Sequence, residues 1–314
     1  MPSKGGNDPK LEEESMQAGR PEIRVSVDWL RYTIPYTDGS KWREAVIAAL
    51  PPDERIHVTG ETLPNARGYD MCVGCSVGRV HVHSKRVEQG IGVEFTGSEC
   101  VQLYGMGLDW QKLWNHIEAQ RGRITTIHFA IDVINYNADH AELYDALDAG
   151  KATTHARTKH MFAGGAIGDG RTEGTTYVGK SSSDRQLRVY NKAAERGIEA
   201  DWTRIELVVK GKRARAILDT LQTVKWSTVA RSMIAEYLKW DGCEWWQAAT
   251  TGNVIAMPPV VRQTSNTHKW LMGQCLTAFK REIMEGDPEA SERLAGSYEA
   301  VIQWWRSANS HSTP

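Results

Sequence analysis

Polar and apolar residues alternate over residues 24–34 (RVSVDWLRYTI), and the β-branched and aromatic content of that run predicts a strand. Pro35 and the Thr37-Asp38-Gly39 turn end it. From Lys41 to Leu50 the apolar positions Trp42, Val46, Ala49 and Leu50 fall at helical spacing. Residues 51–70, with Pro51-Pro52 and several Gly and Asn, read as loop. Residues 71–84 and 90–96 read as two strands of a hairpin or meander. Residues 109–121 and 138–149 read as helices, with a strand at 124–134 (ITTIHFAIDVI) between them. Further strands are predicted at 175–179, 186–191 and 203–210, and a helix begins at Arg213. Strands and helices do not alternate regularly. The predicted class is therefore α+β, a central, largely antiparallel sheet flanked by helices, with a helical C-terminal region.

That C-terminal region begins at Trp226 and holds seven of the twelve tryptophans. Residues 250–267, with Pro258-Pro259, read as a connector. Residues 268–306 read as two helices split by Gly286-Asp287-Pro288. Three segments are expected: a disordered tail over 1–22, a main domain over 23–225 and the Trp-rich region over 226–314. The tail is rich in Gly, Glu and Ser, and it lacks the apolar stretch of a signal peptide.

Composition narrows the classes. Of the 314 residues 40% are hydrophobic and 25% charged, which fits a soluble globular protein. No run of about 18 apolar residues exists, so no membrane partner is expected and the location is expected to be cytoplasmic. Five scattered cysteines fit free thiols in a reducing compartment. Cys72-Val73-Gly74-Cys75 is a C-x-x-C without a second pair at zinc spacing, and its plainer reading is a Gly-rich turn. The net charge is −1, but ten Lys and Arg against five acids lie between Lys180 and Arg215. This excess suits either a phosphate-binding face or an ordinary mixed surface.

Four groups of residues carry possible chemistry. On a strand, Arg188, Tyr190 and Lys192 share one face. Two cations beside a phenol favour phenolate and would hold a phosphate in place; alternatively Tyr190 is an ordinary half-buried strand residue. His128 and Asp132 also share a face, with Ala130 leaving room between them, as would suit a divalent metal or a hydrogen-bonded His and a turn-capping Asp. His81-Val82-His83 is a rival metal pair. Arg204 and Glu206 fall on one face; they could pair with each other, orient a ligand or contact a phosphate, and an ion pair is the simplest reading.

Several segments, in order, resemble the replication initiation factor family of rolling-circle initiators and relaxases. Val27-Asp28-Trp29-Leu30 is similar to its first strand, and Val93 to Cys100 to its strand ending in a Ser/Thr-Gly-x-x-Cys turn. Thr126 to Asp132 resembles its Arg-x-Asp-x-Ala-x-Asp strand, with Thr126 and His128 departing from the Arg and the first Asp. Thr175 to Ser183 resembles its Thr-x-Tyr-x-Gly-x-x-x-Ser segment. Leu187 to Lys192 resembles its (Ile/Leu)-Arg-x-Tyr-(Asp/Asn)-Lys segment. Arg204 to Leu207 resembles its Arg-x-Glu-Leu strand.

The resemblance implies a fold like that of the His-hydrophobic-His endonucleases, whose metal motif His81-Val82-His83 mimics. It implies a single-strand nick in origin DNA, single-stranded or cruciform, made by Tyr190, with a 5′-phosphotyrosine and a free 3′-hydroxyl as products. Lys192 and Arg188 would neutralise the phosphate. His128 and Asp132, with Glu94, would hold Mg²⁺ or Mn²⁺. Lys180, Arg185, Arg204 and Lys210 would bind DNA. A host helicase is a possible partner, and the protein is expected to be a monomer or homodimer. Tyr177 is the alternative nucleophile, expected in a core strand without flanking cations. Two other readings stand beside this one: a non-catalytic origin-binding regulator, motivated by His128, and an unrelated metal hydrolase built on His81 and His83.

Overall fold

A computed structural model describes residues 21–64, 68–83, 85–136, 138–166, 172–252 and 254–256, with isolated positions 292, 296 and 299. The expected tail and the helices expected over 268–306 lie outside the described residues, those three positions aside. The elements run β1 (Glu22–Ile34), α1 (Trp42–Ala49), β2 (Val58–Thr62), β3 (Met71–Cys75), β4 (Arg79–Val82) and β5 (Ile91–Phe95). Then come α2 (Gly97–Gly105), α3 (Trp110–Ala119), β6 (Arg123–Ile134), α4 (His140–Asp148), β7 (Ala152–Thr154), β8 (Lys159–Ala166) and β9 (Thr172–Val178). The series continues with β10 (Arg185–Asn191), α5 (Lys192–Arg196), β11 (Trp202–Lys210), α6 (Gly211–Thr223), α7 (Trp226–Tyr237), β12 (Leu238–Trp240) and α8 (Glu244–Thr250).

Ten strands form one sheet in the order β2-β3-β4-β5-β1-β6-β11-β10-β9-β8, and β12 pairs with β7 in a second, two-stranded sheet. Every pairing among the described residues is antiparallel. The two-residue period of the strands separates the faces of the large sheet. Leu30, Val93, Ile127, Phe129, Ile131, Ile205, Leu207, Val189 and Leu187 are fully buried on one face. They join a core to which α1, α3, α4, α6 and α7 contribute Ala49, Trp114, Leu143, Ile217 and Val229. The amphipathic spacing of α3 explains its place there: Trp110, Leu113, Trp114 and Ile117 are its buried positions, and Asp109 caps its N-terminus by accepting from Lys112 N.

The opposite face is polar. The register places Asp132 against Arg204, Ala130 against Glu206 and His128 against Val208. Across the next pairing Tyr190 faces Arg204, and Arg188 faces Glu206. In β1 a bulge between Val27 and Trp29 inserts Asp28 as an extra residue, which re-aims it off the ladder.

Several parts of the chain depart from the sequence expectations, among them residues 58–62, read as loop, which form β2. Residues 97–105 are helical, closed at the N-terminus by a capping box between Thr96 and Glu99, and the turn expected there is the start of that helix. The chain also divides into two compact units, residues 1–260 and 261–314. Trp226, Trp240, Trp245 and Trp246 belong with the core of the first. The division therefore does not coincide with the expected break after residue 225. The described cysteines Cys72, Cys75, Cys100 and Cys243 form no disulfide with one another. Cys72 and Cys75 are three apart on β3, so they point to opposite faces, and burial pushes the Cys75 thiol up to about 12. That geometry does not hold zinc.

Candidate active site

The polar face carries a cleft of about 800 Å³ between the N-terminus of α2 (Gly97, Ser98), β1 (Asp28, Trp29) and α5. Tyr190, Arg188, Glu206, His128, Lys192 and Tyr177 line it. Glu206 is its centre. The Tyr190 hydroxyl donates toward Glu206 Oε2 at 3.4 Å. Glu206 Oε1 accepts from Arg188 and lies 2.8 Å from His128 Nδ1, the geometry of an Nδ1–H donating to carboxylate. Ala130 is the residue opposite Glu206, and its small side chain leaves the space into which His128 reaches diagonally.

Burial by itself would raise the Glu206 carboxyl. The His128 hydrogen bond and the charges of Arg188, His128 and Arg204 outweigh it and hold Glu206 below the usual carboxylate range. Tyr190 is shifted the other way. Burial, then the Glu206 charge, pushes its phenol well above the ordinary value, against the opposing pull of Arg204. The flanking cations therefore do not create a resting phenolate, contrary to expectation. Burial decides the sign, with the Glu206 charge adding to it.

Lys192 is not on the strand with Tyr190. Asn191 ends β10 and caps α5, accepting from Ala194 N, and Lys192 is the first helical residue. Its ammonium nevertheless stands 5.6 Å from the Tyr190 ring centroid and pairs with Glu195. The cation thus reaches the tyrosine by a turn rather than by strand alternation.

Arg204 and Glu206 do not pair with each other. Arg204 binds Asp132 with two nitrogens, Nε at 2.7 Å and Nη2 at 2.8 Å, and donates a third bond from Nη1 to Asp28 at 2.7 Å. Trp202 Nε1 also donates to Asp132 at 2.8 Å. Arg204 is 7% exposed, and these three bonds hold its guanidinium against Asp132 and Asp28. The residues of the expected metal set do not come together either. Asp132 is committed to Arg204 and lies about 13 Å along β6 from His128. Glu94 is 1% exposed and binds the equally buried His81 at 3.0 Å, two strands away from β6. His83 has its own partner, Asp70, at 2.6 Å, so His81 and His83 form no common site. Among the described residues no group of three His, Cys, Asp or Glu is placed to hold a metal ion.

The remaining expected DNA contacts are scattered. Arg185 lies on the helix-covered side, paired with Glu236 at 3.0 Å and stacked on Tyr237. Lys210 donates to Ser181 O at 3.1 Å, and Lys180 is exposed in the β9–β10 connection. The cations that line the cleft are Arg188, Lys192 and Arg196. Tyr177, expected in the core, faces the cleft and stacks on His160. Glu206 is read from the sequence most simply as a pairing partner of Arg204. Its spacing from Arg204 hid that alternate strand neighbours would each take a different partner.

Similarity to known proteins agrees with this geometry. The sequence profile described as Replication initiation factor matches residues 122–277, a span that contains β6, β10 and β11. The chain is 25% identical over 228 residues to the candidate DNA relaxase NicK of Bacillus subtilis (strain 168). That match covers 63% of this chain and spans 64% of the relative's length. The fold is similar to the solved structure of a rolling circle replication initiator protein from Geobacillus stearothermophilus, with a TM-score of 0.60 and 20% identity. It covers 74% of this chain and all of that one. No helix among the described residues is long and apolar enough to cross a membrane. Profile and relative liken the chain to the replication initiation factor family, and the solved initiator shares its fold.

Proposed function

We propose that this chain nicks one strand of origin DNA by attack of Tyr190 on a phosphodiester. The observation that carries this is the contact of the Tyr190 hydroxyl with Glu206 in a cleft lined by cations. Tyr190 Oη attacks phosphorus and its proton passes to Glu206 Oε2. The bond to the 3′ oxygen breaks, that oxygen takes a proton from solvent, and the 5′ phosphate stays on the tyrosine. The 3.4 Å contact is long for proton transfer and tightens on substrate binding.

Arg188 and Lys192 neutralise charge that builds on the phosphoryl oxygens. Arg188 Nε supports this role, because it is buried and has no hydrogen-bond partner among the described residues. Rolling-circle initiators generally use a divalent ion. Here the ligand set of His128, Asp132 and Glu94 does not converge, and Glu206 Oε1 already holds Arg188 and His128.

The test is incubation of the protein with a supercoiled plasmid carrying its own gene neighbourhood, with mapping of the nick and of any attached peptide. A nick joined covalently to the Tyr190 peptide is expected. Adduct formation by Tyr190→Phe would overturn the assignment, and DNA binding without any nick would favour a regulator instead.

A further inference from the structure

The bulge in β1 decides which face receives Trp29. Up to Val27 the pairing of β1 with β6 keeps one register, in which Val27 faces Phe129. Continued unchanged, that register would set Trp29 against Ile127 and turn the indole into the core. The extra residue Asp28 shifts it by one, so Trp29 faces His128 and lines the cleft. There the indole stacks on the imidazole, with centroids 5.6 Å apart and planes at 27°. What the shifted indole meets on the polar face is thus the ring that holds Glu206.

His128 reaches Glu206 on a diagonal. Its own ladder partner is Val208, and Glu206 faces Ala130. The imidazole must lean along the strand to set Nδ1 2.8 Å from Glu206 Oε1. The torsion that turns an imidazole is broad and roughly two-fold, and half a turn about it puts a carbon in the place of Nδ1. Crowding sharpens the need for a fixed ring. Arg188 Nη2 donates to the same Oε1 and lies 3.4 Å from His128 Nδ1, so two donors compete for one oxygen. An imidazole free to swing would yield that oxygen to Arg188 and let the carboxylate turn away from Tyr190. We infer that Trp29 is a positioning residue: its stack on His128 fixes the plane of the imidazole and, through Nδ1, the aim of the Glu206 carboxylate at Tyr190. Stacking suits this task because it restrains a ring by its face and leaves the ring nitrogens to their own partners. The inference rests on the reading of Tyr190 as nucleophile and Glu206 as its proton acceptor.

The experiment is a double-mutant cycle on the full chain, read by single-turnover adduct formation on the supercoiled plasmid described above, with DNA affinity measured alongside. Trp29→Leu is expected to slow the adduct step at saturating DNA roughly 10- to 100-fold and to leave affinity nearly unchanged. In a His128→Ala background the same change is expected to have no further effect, within about two-fold. Trp29→Phe keeps a stacking ring and is expected to restore most of the rate. A second readout does not need nicking. In protein labelled with ¹⁵N-histidine, the His128 Nδ1 proton is identified by its absence in His128→Ala. It is expected to be protected from exchange with water in the parent and in Trp29→Phe, and unprotected in Trp29→Leu. Rate losses from Trp29→Leu and His128→Ala that simply add, a weakening of DNA binding by Trp29→Leu that persists without His128, or an Nδ1 proton still protected in Trp29→Leu would overturn the inference. The two readouts also separate it from the function itself. Loss of protection in Trp29→Leu, with no adduct formed even by the parent, sinks the nicking assignment and leaves the ordering of His128 by Trp29 in place. Adduct formation by the parent with an additive cycle sinks the positioning role alone.

Discussion

The hydroxyl of Tyr190 points at Oε2 of Glu206 from 3.4 Å, while the other oxygen of the same carboxylate is held by Arg188 and His128. Glu206 is thereby ionised and aimed, and Tyr190 is protonated and aimed. Nicking should therefore depend on Glu206 more than on any cation. In single-turnover assays Glu206→Gln is expected to slow adduct formation by roughly 10²- to 10⁴-fold while leaving DNA affinity nearly intact. An adduct rate within a few-fold of the parent would remove Glu206 from the proton path.

The two shifts set the pH response. Tyr190 is raised above its ordinary value, so no phenolate accumulates in the neutral range. Glu206 is lowered, so it is already a carboxylate there. The adduct rate should fall as pH drops into the range where Glu206 protonates, and should show no upper break near the ordinary tyrosine value of about 10. A break well below 10 that disappears in Glu206→Gln would mean that the phenol ionises before the reaction.

Stability follows the same signs. A carboxylate whose folded value is depressed stabilises the fold above its unfolded value of about 4.3, and this contribution is lost as pH falls through the folded value. Thermal denaturation of the parent and of Glu206→Gln should therefore converge as the pH is lowered below about 4. A gap that stays constant down to the lowest pH would mean that the carboxylate is not depressed.

Arg204 predicts a different kind of defect. It is buried with two carboxylates, so Arg204→Met strands the charges of Asp132 and Asp28. The expected cost is about 3–5 kcal/mol in chemical denaturation. If Arg204 instead bound DNA, the variant would keep its stability and lose affinity.

Glu94 separates metal response from structure. It is bound to His81 and is remote from Tyr190. Glu94→Gln should leave the dependence of nicking on Mn²⁺ or Mg²⁺ concentration unchanged, whatever its effect on Tm. A shifted half-saturating concentration would reinstate Glu94 as a ligand.

Much of the fold was legible because the strands near the site alternate cleanly. In residues 124–134 the apolar positions Ile127, Phe129, Ile131 and Val133 are all fully buried, as their period demands. The same period placed Arg188 with Tyr190 on one face of their strand, and His128 with Asp132 on one face of theirs. What it did not determine was pairing. Arg204 and Glu206 share a face, but each finds its partners across a ladder, and ladder register depends on residues far apart in the chain. Lys192 was misplaced because Asn191 is compatible with a strand end and acts as a helix cap. Asp28 stood out only as part of a segment similar to the family's first strand. Its reach to Arg204 comes from a bulge that only the pairing of β1 with β6 defines.

The alternation of β6, β10 and β11 has a further consequence. Each of these strands spells two messages in interleaved letters, one addressed to the core and the other to the cleft. Gaining or losing a single residue in any of them would exchange the messages, sending Tyr190 or Glu206 inward and Val189 or Ile205 outward. Such strands are therefore locked in length while each letter stays open to replacement in place, and an imidazole at position 128 is a change of that permitted kind.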